Sequence, residues 1–236
     1  MSAATASPGY AIPVGVEHRF SAVAVVLSFA AGATDAFAFL LLGGIFTANM
    51  TGNLVLAGLV ERAGYPMVVV GASVAIVAFA VGVYGAIRIA KPSAVPSSRL
   101  VVVLAITSAL QAAVLVGWLV SPHPLPVMMQ VAMIALSALA MAGQTGVARR
   151  IEPRSGVTTT FVTGTLTNLM ADFADRKPQA AGVRVSVILA LVAGALCGAL
   201  LVGVHPALGA ALPLVPSLAG LAILAMAVAS AHRKGG

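Results

Sequence analysis

Apolar residues run in long stretches along almost the whole chain, separated by short polar, charged or glycine-containing segments. A membrane-spanning helix needs roughly 20 predominantly apolar residues. The pattern predicts six such spans, at 20–42, 66–90, 100–120, 126–147, 185–204 and 212–230. Two apolar pieces, 45–60 and 157–171, are too short for a comfortable crossing. The first 16 residues are small, polar and Pro/Gly-containing. They lack the charged start and early apolar run of a signal peptide, so they read as a disordered tail.

The two short pieces carry a phrase that occurs twice. Phe46-Thr47-Ala48-Asn49-Met50-Thr51-Gly52-Asn53-Leu54 recurs loosely as Thr158-Thr159-Thr160-Phe161-Val162-Thr163-Gly164-Thr165-Leu166, with the Thr-Gly pairs 112 positions apart. Upstream, Gly32-Ala33-Thr34-Asp35 lines up with Gly143-Gln144-Thr145-Gly146 at an offset of 111. An internal duplication is the simplest source of this pattern. Two copies at so long a period do not suggest a solenoid.

Charge decides how the short pieces are threaded. With both pieces dipping into the membrane and returning, and the N-terminus cytoplasmic, 12 of the 13 Lys and Arg residues lie inside and Arg62 alone lies outside. With both pieces spanning, the split is 7 to 6. Basic residues accumulate in cytoplasmic loops, so the asymmetry favours six spans and two re-entrant segments. Each half then reads span, dip, span, span, over 17–120 and 121–236. Three crossings per half invert the second half relative to the first. The expected fold is an all-α membrane protein of six transmembrane helices plus two re-entrant or broken short helices, arranged as an inverted-topology repeat. Broken segments of such repeats meet near the midplane, where transporters bind their substrates.

Composition agrees with a lipid environment: 60% apolar, 8% charged and mean hydropathy +1.07, against about 45–50% and about 25% in soluble domains. The net charge of +7 is explained by topology rather than by nucleic-acid binding, for which no soluble domain is left. Single Cys197 excludes a disulfide framework. The four histidines are isolated and in no metal-ligand spacing. No GxSxG, HExxH, Walker lysine or CxxC pattern occurs, so neither catalysis nor a cofactor is expected. Gly194 and Gly198 form a step suited to close helix packing. Asp172, Asp175, Arg176 and Lys177 read as a solvated mixed-charge loop.

The candidate site residues follow from the repeated phrase. Irregular backbone at membrane depth is tolerated only where it is buried in protein or lines a wet cavity. Gly43-Gly44 lets the chain turn back, and Gly52 allows close backbone approach. Thr47, Asn49, Thr51 and Asn53 alternate and would face one way if the stretch is extended. Thr160, Thr163, Gly164 and Thr165 are their counterparts, with Gln144 nearby. A helix starting after Thr51 or Thr163 would aim its amides at one point, which suits an anion or a carbonyl. The alternative is that these groups only satisfy broken backbone and join helices. Asp35 is the one acidic residue within a predicted span. It reads as a proton-coupling carboxylate or cation ligand, the alternative being a carboxylate pinned by amides that holds the first dip in place. Its repeat counterpart, Gly146, carries no charge.

The run Ala31-Gly32-Ala33-Thr34-Asp35-Ala36, followed by Gly43-Gly44-Ile45-Phe46-Thr47-Ala48-Asn49-Met50-Thr51-Gly52-Asn53, resembles the YoaK-like family of bacterial membrane proteins. Ala142-Gly143-Gln144 and 158–166 resemble its second signature, which more often has Asn where Thr145 stands. The resemblance covers nearly all of the chain after the tail. It implies importance for Asp35, Asn49, Thr51, Gly52 and Asn53 and an integral membrane architecture, in a family of unknown function. The expected setting is the bacterial inner membrane, multi-pass, with both termini cytoplasmic, and a homo-oligomer is compatible with it. The expected role is a transporter or channel for a small solute, with anions and proton-coupled substrates as candidates. A non-transporting scaffold or accessory subunit is the alternative.

Overall fold

The computed structural model describes residues 14–91, 97–155, 162–175 and 181–233. Its helices are α1 (Val14–Leu41), α2 (Met50–Gly58), α3 (Tyr65–Ile89), α4 (Ser98–Val120), α5 (Val127–Ser155), α6 (Val162–Ala174), α7 (Ala181–Val204), α8 (Pro206–Ala211) and α9 (Leu214–Arg233). No strand occurs among the described residues. Six segments are long and apolar enough to cross a membrane: His18–Leu41, Tyr65–Ile89, Ser98–Val120, Val127–Glu152, Ala181–Val204 and Pro206–Ala231. In hydrocarbon a chain must satisfy its backbone internally, and a helix does so within each segment. The protein is therefore an all-helical, multi-pass membrane protein.

The helices depart from the apolar pattern at their ends. α1 begins at Val14, so 14–16, expected in the tail, are helical, and the rest of that tail lies outside the described residues. α5 runs to Ser155, eight residues past the expected end of its span. Leaving lipid does not end a helix, and here the Arg149–Glu152 pair (2.7 Å) and the bond from Arg150 to the Ile87 carbonyl (3.1 Å) support the continuation. The last span is interrupted at Leu212-Pro213 between α8 and α9. Proline lacks the amide hydrogen that a continuous helix would use there. The His205 ring accepts from the Ala207 amide (3.2 Å) and caps α8.

α1, α4, α5 and α9 form the centre, through α1–α5, α4–α9, α4–α5 and α1–α9 packing. α7 lies along α1 and α3 along α5, while α2 rests on α3 and α6 on α7. Exchanging α1, α2, α3 and α4 for α5, α6, α7 and α9 maps these contacts onto one another, whereas the smaller α3–α4 contact has no such counterpart. Small residues set the two most extensive contacts. A Cβ on Gly194 would overlap the Phe29 carbonyl oxygen, and one on Gly32 would overlap that of Leu191. On the other side Gly82 faces Ala142 and Gly146 faces Ala86. Close approach of this kind is what joins helices in lipid, where apolar burial gives no net drive.

Two apolar layers stack along the bundle. One gathers Phe20, Leu104, Ile151 and Leu224, and the other gathers Phe37, Leu42, Ile45, Trp118 and Ile134. Phe37 and Trp118 meet edge to face at 5.4 Å. Between the layers lie buried polar side chains. Gln111 donates to the Thr34 hydroxyl (3.2 Å), and Gln144 donates to the Ser217 hydroxyl (2.9 Å). These bonds tie α1 to α4 and α5 to α9.

Gly194→Leu should force α1 and α7 apart and lower stability by about 2 kcal/mol or more, as overpacking does. Gly85→Val, where a Cβ meets nothing within 4 Å, should be close to neutral. Thermal unfolding of both variants in one detergent measures the contrast.

Candidate functional site

The site starts from the turn after α1. Leu41 ends the helix, and Gly43 (φ +97°) and Gly44 (φ +74°) adopt the left-handed backbone that only glycine takes without strain. The chain then doubles back along α1. Asp35 lies six residues before the end of α1, which is about 9 Å of helix rise. Its Oδ1 accepts from the Thr47 amide (2.8 Å) and the Ala48 amide (2.7 Å), and its Oδ2 from the Asn49 amide (3.1 Å). Consecutive amides converging on one anion form a nest. The carboxylate also faces the positive end of α2.

The rest of the phrase fixes this turn. Asn49 is the N-cap of α2, its Oδ1 accepting from the Gly52 amide (3.1 Å). Asn53 is fully buried. It accepts from the Phe46 amide (2.9 Å) and donates to the Phe46 carbonyl (2.7 Å), so one side chain satisfies both polar groups of an irregular residue. Gly52 has no side chain because the Phe46 ring occupies that space, within 2.7 Å of where a Cβ would stand. Phe46 stacks on Phe39 at 5.0 Å. Arg62 lies 5.8 Å from the Phe39 ring centre and donates to the Gly44 carbonyl (3.2 Å).

A cavity of about 460 Å³ lies beside this turn, lined by Ala31, Asp35, Ala48, Asn49, Thr51, Gly52 and Val55 from the first half and Val162, Thr163, Gly164 and Leu191 from the second. Ala31 is ten residues from the end of α1 and Leu191 ten from the start of α7. Both are thus about 15 Å from a helix end, half the thickness of a hydrocarbon core. α2 leads into α3 and packs on it, and α6 leads into α7 and packs on it. α6 is fastened to α7 by the Asp172–Arg184 ion pair and by a bond from Arg184 to the Asn168 carbonyl (3.2 Å).

The cavity gathers six of the sequence-predicted residues: Asp35, Asn49, Thr51, Gly52, Thr163 and Gly164. Others are elsewhere. Thr47 and Asn53 are fully buried behind the lining. The expected alternation of Thr47, Asn49, Thr51 and Asn53 does not hold, because Met50 starts a helix and changes the period from two to 3.6. Thr165 is buried and is not part of the lining. Gln144 belongs to the bundle core, bonded to Ser217, rather than to the cavity. Thr160 lies outside the described residues. Asp172 is helical and paired rather than part of a solvated loop, and Arg176 and Lys177 lie outside the described residues. The apolar wall made by Val55, Val162 and Leu191 was not foreseen, since such residues are indistinguishable in sequence from lipid-facing ones. Gln111 and Ser217 were also missed, although an uncharged polar residue within an apolar span is the signal that marks them.

Comparison with known proteins gives two matches. The family described as "Protein of unknown function (DUF1275)" matches residues 23–227. The UPF0700 transmembrane protein YoaK of Bacillus subtilis (strain 168) is 31% identical over 158 residues, covering 64% of this chain and 66% of that protein, slightly under two thirds of its length. No solved structure matches the chain.

Asp35→Asn replaces one acceptor oxygen of the nest by an NH₂ group and removes the charge. A charge-assisted hydrogen bond contributes about 1.5–3 kcal/mol, so the amides of Thr47, Ala48 and Asn49 should exchange with deuterium on the order of tenfold faster or more in this variant. Hydrogen-exchange mass spectrometry of the peptide spanning 46–54 reads the change, with α4 peptides as the unaffected control.

Proposed function

Because the chain belongs to the DUF1275 family of transmembrane proteins, a grouping that names no activity, we propose its role from its geometry: a transporter or channel for a small solute, with the cavity between α2 and α6 as its binding site. The observation that carries this reading is the convergence of the two phrases. Thr51-Gly52 and Thr163-Gly164, 112 positions apart in the chain, line one cavity about halfway along the bundle. A pair of segments that only braced their own halves would not need to meet.

We read α2 and α6 as re-entrant helices and the two halves as an inverted repeat. The self-mapping pattern of helix contacts supports this, as does the distribution of charge. Arg19, Arg88, Lys91, Arg99, Arg149, Arg150 and Arg184 sit at the bundle end where α1, α4 and α7 begin and α3 and α5 finish. Arg62 sits at the opposite end, beside the turn into α3. The basic end is cytoplasmic on this reading, in a bacterial inner membrane. α2 then closes the cavity toward the outside and α6 toward the cytoplasm. Displacing one while the other stays packed opens the site to one side at a time. The described lining has a single carboxylate and no activated nucleophile, so the proposal includes no catalytic step.

Topology and transport are tested separately. In a Cys197→Ser background, cysteines replacing His18, Arg149 and Asp175 should label from one side of the membrane and one replacing Glu61 from the other. Labelling of the His18 and Glu61 positions from the same side would mean that α2 spans. For transport, proteoliposomes are loaded with a panel of small anions, amino acids, amines and nucleobases. At least one solute should move, and Leu191→Trp, which fills the cavity, should abolish that flux while Gly85→Val leaves it unchanged. No flux for any solute, together with a stable partner in gentle detergent, would favour a scaffold.

A further inference from the structure

We propose that the cavity takes a small organic ammonium, its charged head against Asp35 and its apolar body against the opposite wall. This rests on reading the cavity as a solute site and adds the class of solute. The charge inventory of the lining is one-sided. Among the described residues of the lining, Asp35 is the one ionisable side chain, and none of them is Lys, Arg or His. The α5–α6 connection, 156–161, has no ionisable residue in its sequence. The positive end of α2 offsets only about half a unit charge. A second anion in this space would therefore face an incompletely neutralised carboxylate in a medium of low dielectric.

Asp35 has room for such a partner. A carboxylate offers about four lone-pair sites, and the turn uses three of them, two on Oδ1 and one on Oδ2 at the longer distance of 3.1 Å. The residue is only half-buried, and it lines the cavity. Thr51 and Thr163 bring hydroxyl oxygens that can accept the remaining N–H bonds of an ammonium. The opposite wall, with Val55, Val162 and Leu191, is apolar. That wall separates this ligand from an inorganic ion: hard cations ask for six or more oxygens around them, whereas this lining suits a cation with a hydrocarbon body.

The test uses the full chain in lipid nanodiscs and three probes that share one cyclohexyl ring, cyclohexylammonium, cyclohexanecarboxylate and cyclohexanol, at matched ionic strength. Cyclohexylammonium should raise the unfolding temperature in a saturable way, by about 2 °C or more at ten times its Kd, and the other two should not. Leu191→Trp leaves the Asp35 bonds untouched and should remove the shift. Asp35→Asn should remove it as well, and the Leu191 variant decides the matter if the Asp35 variant does not fold. An ammonium shift that survives Leu191→Trp would place binding elsewhere and overturn the proposal. A carboxylate or alcohol that stabilises equally well, and is blocked by Leu191→Trp, would overturn the choice of ammonium while leaving the cavity as a solute site. Absence of any shift would also overturn it, and the flux of the Leu191 variant would then judge the cavity on its own.

Discussion

Everything distinctive in this fold depends on a carboxylate that satisfies backbone amides at membrane depth. A chain that leaves α1 and doubles back exposes N–H groups where no water is at hand, and each would cost several kcal/mol if left unpaired. Asp35 takes those of Thr47, Ala48 and Asn49, and Asn53 takes both polar groups of Phe46. With those groups satisfied, α2 can begin deep in the bundle rather than at its surface. The same contacts offset part of the cost of burying the carboxylate, since three amides and a helix N-terminus stand in for some of its hydration.

The second half solves the equivalent problem differently. Gly146, which lines up with Asp35 in the sequence, lies against Ala86, so that position serves helix packing. α6 is held near its far end by Asp172 and Arg184, close to the start of α7 and therefore near the membrane surface. One broken helix is pinned at its inner end and the other at its outer end. On the proposed reading of the two halves as a repeat, the difference between Asp35 and Gly146 makes the two elements mechanically unlike.

Much of this was legible in the sequence. Lipid imposes length and apolarity on a spanning helix, so all six spans could be read to within a few residues at most boundaries, and the Thr-Gly phrases marked two of the cavity walls. Two kinds of feature escaped. Helix continuation beyond lipid, as in α5 past Val147, depends on local ion pairing and not on hydropathy. The assignment of polar groups to cavity or core depends on which face of a helix they occupy. Gln144 was grouped with the phrase because it stands near the end of its span, two residues from the position that lines up with Asp35, yet its helix directs it to Ser217. Leu191 was invisible because an apolar residue facing a cavity and one facing a lipid tail have the same composition. The period also misled at 47–53, where an alternating string of Thr and Asn is cut by the start of α2.

Asp35 is both the anchor of α2 and the charge of the cavity, and these two roles are not independent. A group that takes the free site on Oδ2 shares that oxygen with the Asn49 amide, the longest of the three bonds, and Asn49 is also the cap whose side chain holds Gly52. Occupancy of the cavity and the hold on α2 are therefore linked through one residue. Linkage of this kind is reciprocal: whatever loosens α2 changes affinity for the solute by the same factor that the solute changes the stability of the turn. A binding site built only from Thr and Asn side chains on rigid spans would recognise a solute without that consequence. On the proposed reading, placing this carboxylate under α2 would make recognition and movement parts of a single equilibrium.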